Sequence, residues 1–411
     1  PEPFTVVSGG DTKSDGLSYI AGRRSSKMVA KLRPLFVEFN GDFCSGDGVD
    51  DQRWRKWLSD WSALTRSEDG RVYPILAVQG NHEGGDMEVL QHLFDTPTAD
   101  SPYSYYGLSF AGETLRVIAL NSELAGSTDE FEAQTAWLAD ELAENDHHWL
   151  VTTGYHKPLR PHHSGKGEND HLLDAWGDLF FGHRVTFSFD ADSHVNKITW
   201  PLVPSDDPDS HMGLARDDVY GTMYLGEGSW GAEARENDDD HPWTITSSSE
   251  QQFKWLHVYP PDGVEPGRVE IYTVVTGTWT LFGLLISDEV SGVGANTEDD
   301  VFALPSGIHL HEVPGFGDVL EYPVADGPVP EAPAELSAEP GGAGEVELAW
   351  SVPEGGEAAN WQFVEQRVGE GEFALAGRHL PGDAEAWTAS GLEAGVEHAF
   401  RVRGVNLFGY S

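Results

Sequence analysis

Cysteine is nearly absent from this chain of 411 residues: Cys44 is the single instance, so no intrachain disulfide can staple the fold. Basic residues are scarce as well, 25 Lys and Arg against 69 Asp and Glu, for a formal net charge of −44. A field of that sign repels nucleic acid and anionic membrane surfaces, which excludes both as expected partners. No apolar run approaches the roughly 20 residues that a membrane-spanning helix needs, so no membrane insertion is expected. The chain is nonetheless not a disordered polyanion. Apolar residues make up 39%, with 14 Trp and 19 Phe, enough bulk for packed cores. Its length exceeds one comfortable core and predicts two or three domains. The acidic surplus reads as a solubilising surface, with the run Asp238-Asp239-Asp240 part of a solvated loop.

Short apolar runs alternate with helical patterns through the first half. Phe4-Thr5-Val6-Val7-Ser8 reads as a strand and runs into Gly9-Gly10-Asp11, and residues Gly16 to Arg33 then read as a helix. Leu35 to Phe39 repeats the strand signal and ends in Gly41-Asp42. Trp54, Trp57, Leu58, Trp61 and Leu64 follow at helical spacing, the mark of core packing. Ile75 to Val78 ends in Gly80-Asn81-His82-Glu83. The pattern continues with strand signals at Tyr103 to Tyr106 and Leu115 to Leu120, and a helix around Ala133 to Leu142. Trp149 to Thr153 then leads to His156, and Val185 to Phe189 leads to Asp190, Asp192 and His194. From about Val219 the helices fade, and Tyr220 to Leu225, Gln252 to Tyr259 and Arg268 to Thr276 are expected as strands that complete a second sheet. Residues Ala325 to Pro340, rich in proline, read as a linker, which divides the chain into residues 1–324, the linker 325–340 and a C-terminal domain 341–411.

Polar groups recur where the strands stop, the rim on which open α/β sheets assemble their sites. Five strand ends present Asp11, Asp42, Asn81-His82, His156 and Asp192-Ser193-His194. Carboxylate, imidazole and amide oxygen together suit Zn, Mn or Fe better than a pure Ca site. A carboxylate shared by two ions about 3.5–4 Å apart would clamp both the attacking and the leaving oxygen of a phosphoryl centre.

The ordered set Gly10-Asp11, Gly41-Asp42-Phe43-Cys44, Gly80-Asn81-His82-Glu83, His156-Lys157-Pro158 and Ala191-Asp192-Ser193-His194 resembles the calcineurin-like metallophosphoesterases, which include the purple acid phosphatases. Roughly residues 4 to 230 carry the likeness. It implies an α/β fold, a two-sheet metallophosphoesterase sandwich with flanking helices, and two divalent or trivalent metal ions. One ion would take Asp11, Asp42 and His194, the other Asp42, Asn81, His156 and Asp192. His82 would protonate the leaving oxygen, with Glu83 orienting its ring. The implied reaction is hydrolysis of a phosphomonoester or phosphodiester through a metal-bound hydroxide. Lys13, Lys157 and Arg160 are candidate contacts of the phosphorylated substrate. His162, His163 and His171 are expected on a wet loop, and Cys44 as a small buried hydrophobe.

Two positions depart from the resemblance. Lys13 stands where the family often has histidine, and Asp192 replaces the first histidine of the last block. A protonated ammonium cannot ligate, but Lys13 could restore the positive charge that the extra carboxylate removes. Two rival expectations follow: a non-catalytic relative that binds a phosphorylated or polysaccharide ligand, and an enzyme with one tightly held ion and Lys13 in place of the other.

The C-terminal end reads as period-two strands, Glu345 to Trp350, Trp361 to Gln366 and His398 to Arg403, of an all-β immunoglobulin-like sandwich. With Pro333, Trp350, Leu392-Glu393-Ala394-Gly395 and Phe400 to Asn406 it resembles a fibronectin type III module, which implies contact with another protein or a carbohydrate rather than catalysis. Its last strand is expected beyond Ser411. The module and the lack of an initiator Met point to an exported protein.

Overall fold

The apolar runs that begin near residues 4, 35, 75, 115, 149 and 185 become strands of mostly buried residues, whereas among the described residues of the run expected at Tyr103 to Tyr106 only Tyr106 is strand, the first residue of a largely half-buried one. The structure, a computed structural model, describes residues 2–411 apart from 14, 48, 67–68, 85–88, 98–103, 125–127, 146, 207–209, 218–219, 262–266, 281–282, 287–289, 292–308, 314–316, 324–329, 354–358, 360, 370, 372, 382 and 407–408. The chain divides into two units, Pro1–Val324 and Ala325–Ser411.

In the first unit, β1 (Phe4–Gly9), α1 (Gly16–Leu32), β2 (Val37–Phe39), α2 (Asp51–Leu64) and β3 (Ile75–Ala77) follow one another, and the three strands pair in parallel. Parallel neighbours need a crossover, which the two helices supply. Next come a short helix α3 (Val89–Phe94), the antiparallel pair β4 (Tyr106–Phe110) and β5 (Leu115–Ala119), α4 (Asp129–Asn145), β6 (Leu150–Gly154), α5 (Asp170–Gly182) and β7 (Phe187–Phe189). Strands β5, β6 and β7 are parallel. Asp50 caps α2, its carboxylate accepting the backbone N–H groups of Gln52 and Arg53.

Two sheets face each other. Beyond β1 the first is extended by Glu250–Tyr259, which is antiparallel to β1, then by Arg268–Thr280 and Gly317–Pro323. The second runs from β4 through β5, β6 and β7 to Met223–Gly226, Asn196–Thr199 and Thr244–Ser248. Strand alternation sorts the core. Val6, Phe36 and Leu76 point between the sheets, where they join Leu115, Val117, Leu150, Phe187, Leu256 and Val258. Their neighbours Val7, Val37 and Ala77 point the other way, to Met28, Val29, Trp54 and Trp61 of the helices. On the far side α4 and α5 bring Leu138, Leu142, Leu172, Trp176 and Phe180 to the second sheet.

Two expectations need correction. The strands after residue 219 do not complete one sheet: Met223–Gly226 joins the second, while Glu250–Tyr259 and Arg268–Thr280 extend the first. Val219 and Tyr103 themselves lie outside the described residues. Within the supposed linker, Ala334–Pro340 is a strand paired with Val346–Ser351, and 325–329 lie outside the described residues. It is an edge strand, where a terminal proline costs no ladder bond.

The second unit has two antiparallel sheets. Ala334–Pro340, Val346–Ser351 and Ala386–Ala389 form one; Phe373–Pro381, Trp361–Val368, His398–Asn406 and Gly409–Tyr410 form the other. Its core holds Leu348, Trp350 and Val364, and the Trp350 indole donates to Gln362 Oε1 at 2.6 Å.

Candidate metal centre

Asp11 follows β1, Asp42 follows β2, Asn81 opens a single 3-10 turn after β3, His156 follows β6, and Asp192 and His194 follow β7. All six therefore sit beyond the carboxyl ends of parallel strands. Four of them hold left-handed backbone: Asp11 (φ 65°), Asp42 (φ 56°), Asp192 (φ 68°) and His194 (φ 60°). Such residues cost about 1–3 kcal/mol each and persist only where their surroundings fix them. Here the loops fix one another. Asp11 N–H donates to Gly41 O, Thr12 N–H to Asp42 O, Ala191 N–H to His156 O, and Asp192 N–H to Asp11 Oδ2 at 2.9 Å.

The side chains converge. His156 Nε2 lies 3.3 Å from Asn81 Oδ1, 3.4 Å from Asp42 Oδ1 and 3.6 Å from Asp192 Oδ1, and His194 Nε2 lies 3.2 Å from Asp11 Oδ1. Each imidazole has its Nδ1 against a backbone carbonyl, His156 on Asn40 O at 2.7 Å and His194 on Glu233 O at 3.0 Å. A neutral ring in that position donates from Nδ1 and aims the Nε2 lone pair at the carboxylates. That arrangement needs a proton or a metal ion between Nε2 and the oxygens, and a metal ion bound there would replace the proton. Two ligands of one tetrahedral ion, each about 2.0–2.2 Å from it, are about 3.3–3.6 Å apart, which is the spacing around His156. Asp11 Oδ1 is buried without a hydrogen-bond partner. Ligand atoms of Asp11, Asp42 and His156 lie within 4.8 Å of one another. The donor set thus fits a metal of the zinc, manganese or iron type.

Electrostatics carry the same message. Burial depresses the imidazolium of His156, but Asp42, Asp11 and Asp192 outweigh it and push its pKa up to about 10. For Asp11 burial raises the carboxyl pKa, yet His194 and His156 bring it below the ordinary value. For Asp42 burial wins over His156, and its pKa is raised. The cluster calls for positive charge.

Other candidates lie elsewhere or act differently than expected. His82 Nδ1 is 2.8 Å from Asp47 Oδ1, and its Nε2 is 3.8 Å from Asp42 Oδ2. Its ring is therefore oriented by Asp47 and not by Glu83. The buried Glu83 carboxylate instead accepts the backbone N–H groups of Asp42 (2.7 Å), Phe43 (2.9 Å) and Gly80 (3.0 Å), bracing the turn that carries Asp42. Lys13 lines a cleft between α1 and α2 with Tyr19, Arg23, Lys56 and Trp57, a lining that includes none of the candidate ligands. Lys157 pairs with Glu123 at 2.8 Å. Arg160 is buried and bound to Met212 O, Leu159 O and Asp170, so its guanidinium is taken up within the fold. His162 is not on a wet loop: it is fully buried, 3.0 Å from Glu227 Oε1. Cys44 is buried, and burial pushes its thiol up to about 12, the behaviour of an inert small hydrophobe.

Four residues that sequence reasoning passed over complete the surroundings. Lys166 donates to Asp192 Oδ1 at 2.5 Å, and Arg235 donates to the backbone oxygen of Asp192 at 2.9 Å. The backbone oxygen of Glu227 accepts the His194 N–H at 2.7 Å. The Glu227 carboxylate is fully buried; burial alone would raise its pKa, but Lys197 and His162 hold it down at about 2. Gly228 (φ 84°) passes so close to Asp11 that a Cβ would overlap its carboxylate. All four lie in loops with no periodicity to mark them; only the run Gly226-Glu227-Gly228 hinted at a tight backbone.

Residues 23–194 match the family model described as calcineurin-like phosphoesterase, so a domain of that type spans them, in a mixed α/β metallophosphoesterase fold of two sheets. Among solved structures, GAP50, the anchor in the inner membrane complex of Plasmodium, is similar with a TM-score of 0.52 and 12% identity, over 72% of this chain and 91% of that one. Purple acid phosphatase PPD1 from yellow lupin (Lupinus luteus) seeds is similar with a TM-score of 0.50 and 16% identity, over 67% of this chain and 52% of that one. At these identities the likeness is one of fold. No curated protein matches the chain.

Proposed function

We propose that this chain is a metal-dependent hydrolase of phosphomonoesters or phosphodiesters, its metal centre built from Asp11, Asp42, Asn81, His156, Asp192 and His194. The observation that carries this reading is the pair of histidines whose Nδ1 atoms are engaged by backbone carbonyls while Nε2 faces carboxylate oxygens. Bound there, zinc, manganese or iron would supply Lewis acidity and a nucleophilic oxygen at neutral pH. The protein does the rest. Asp42 lies between His156 and His82, its Oδ1 3.4 Å from the first and its Oδ2 3.8 Å from the second, and so links the ligand cluster to the candidate proton donor. His82, 38% exposed at its side chain, has its Nδ1 held by Asp47 Oδ1 at 2.8 Å, which orients the ring for giving a proton to a leaving oxygen. Glu83 fixes the Asp42 turn, and Glu227 fixes the His194 loop.

The fibronectin-like reading of the second unit assigns it to binding another protein or a carbohydrate, and export goes with it. No described helix is long and apolar enough to cross a membrane. A binding role for the first unit is the second reading, favoured by the ion pair that Lys166 makes with Asp192. Metal analysis of protein purified without chelator, with turnover of aryl phosphate mono- and diesters before and after chelation, separates the two. Bound metal and turnover that chelation abolishes and metal restores support the hydrolase. Bound metal with no turnover of either ester leaves the binding role.

A further inference from the structure

We propose that Lys166, on the loop that follows His156, occupies Asp192 in place of an ion, so that the centre holds one tightly bound metal on Asp11, Asp42 and His156 and takes its second positive charge from the protein. The inference rests on the reading of the cluster as a metal centre. Lys166 Nζ is 2.5 Å from Asp192 Oδ1, the same oxygen that lies 3.6 Å from His156 Nε2 and that an ion shared with His156 would have to use. Solvent screens this pair poorly, since the two side chains are only 27% and 12% exposed.

The Asp192 backbone is held in place. Its N–H is bound to Asp11 Oδ2, its carbonyl accepts from Arg235, and its backbone is left-handed. Three carboxylates face the cluster, Asp11, Asp42 and Asp192, and one divalent ion with one ammonium balances them. A second divalent ion would sit beside the Lys166 ammonium on a shared oxygen, like charge against like charge. Among the described residues, the group of carboxylate and imidazole ligand atoms that lie mutually close comprises Asp11, Asp42 and His156, with Asp192 and His194 outside it. Lys166 keeps further N–H donors that can reach an incoming phosphoryl oxygen, a point-charge contact of the kind lysine makes with phosphate.

The test counts ions and does not rely on turnover. Full-length protein, stripped and reloaded with Mn2+, is desalted, and bound manganese is measured by elemental analysis and by electron paramagnetic resonance. Wild type and Lys166→Arg are expected to hold about one ion per chain with an uncoupled signal, and Lys166→Met about two with a spin-coupled signal, because Asp192 is then free to ligate. Adding Asp192→Asn to Lys166→Met should return the count to about one. Two equally tight ions in wild type, or an unchanged count in Lys166→Met, overturn the proposal while leaving the metal centre standing. Absence of binding in every variant overturns both.

Discussion

Replacing Gly228 by alanine tests whether the backbone around the centre is built for Asp11. At φ 84° any L-residue pays about 1–2 kcal/mol for left-handed backbone. A Cβ there would also overlap Asp11 Oδ2 and lie 2.7 Å from its Cγ, so the carboxylate must move. Moving it breaks the bond that Oδ2 accepts from the Asp192 N–H, a charged hydrogen bond worth about 1.5–3 kcal/mol. The total is about 2.5–5 kcal/mol, together with loss of a ligand position. Gly112 provides the control: its φ is 71° and a Cβ meets nothing within 4 Å, so Gly112→Ala should cost only the backbone share, about 1–2 kcal/mol. Urea unfolding of both variants, with metal content measured before unfolding, reads the difference. Equal destabilisation of the two, with full metal content in Gly228→Ala, would refute the argument.

His82→Ala should keep bound metal and lose on the order of 10²–10⁴ in kcat, and Asp47→Asn should fall in the same direction by about tenfold; metal loss with unchanged turnover per ion contradicts the proton-donor role. Glu38 is fully buried, one of its oxygens has no partner, and burial pushes its pKa up to about 8 against lowering by Ser8. Folding therefore disfavours its ionised form: the cost is absent below the unfolded value of 4.5, grows as pH rises to about 8, and reaches about 3–5 kcal/mol above that. Glu38→Gln should abolish that loss and be the more stable protein at pH 8.5, whereas parallel stability profiles between pH 5 and 8.5 would contradict it. If substrate approach is limiting, kcat/KM for an anionic ester should rise with moderate salt, because the field of the net charge of −44 is screened to about 8 Å at physiological ionic strength. A flat or falling profile at constant metal occupancy counts against it.

The strands of the first unit were legible because apolar runs ending in Gly-Asp or Gly-Asn-His are local signals, and the candidate ligands were legible because they stand at those ends. What failed was inference from adjacency in sequence. Lys13 is two residues from Asp11, but the chain turns through left-handed backbone at Asp11 and Lys13 emerges on the cleft between α1 and α2. Glu83 adjoins His82, but successive residues of a 3-10 turn point about 120° apart, so the carboxylate reaches the Asp42 loop while the imidazole reaches Asp47. Asp47, Lys166 and the pair Glu227 and Arg235 come from three different loops, and which loops meet is decided by sheet order. Sheet order was the part misread, since strands near residues 223 and 250 look alike and go to different sheets.

The scarcity of cations gives their placement its meaning. Lys197 is fully buried between Asp190 at 2.6 Å and Glu227 at 3.0 Å, directly under the loop that carries Asp192 and His194. Lys254 is fully buried as well, bonded to Asn196, Gln252 and Thr273, and burial brings its ammonium down to about 7. Lys166 and Arg235 approach Asp192 itself. Four of the chain's 25 basic residues are thus committed to partners among or next to the residues around Asp190 to Asn196. Buried ion pairs contribute little net stability, because desolvation consumes most of the attraction. Their presence here is better explained by what they hold in place. Without Lys197 the buried carboxylates of Asp190 and Glu227 would repel each other uncompensated. The acidic surplus and the cations gathered around the Asp192 loop are therefore separate electrostatic layers, the first acting on what approaches the protein and the second on the carboxylates at the strand ends.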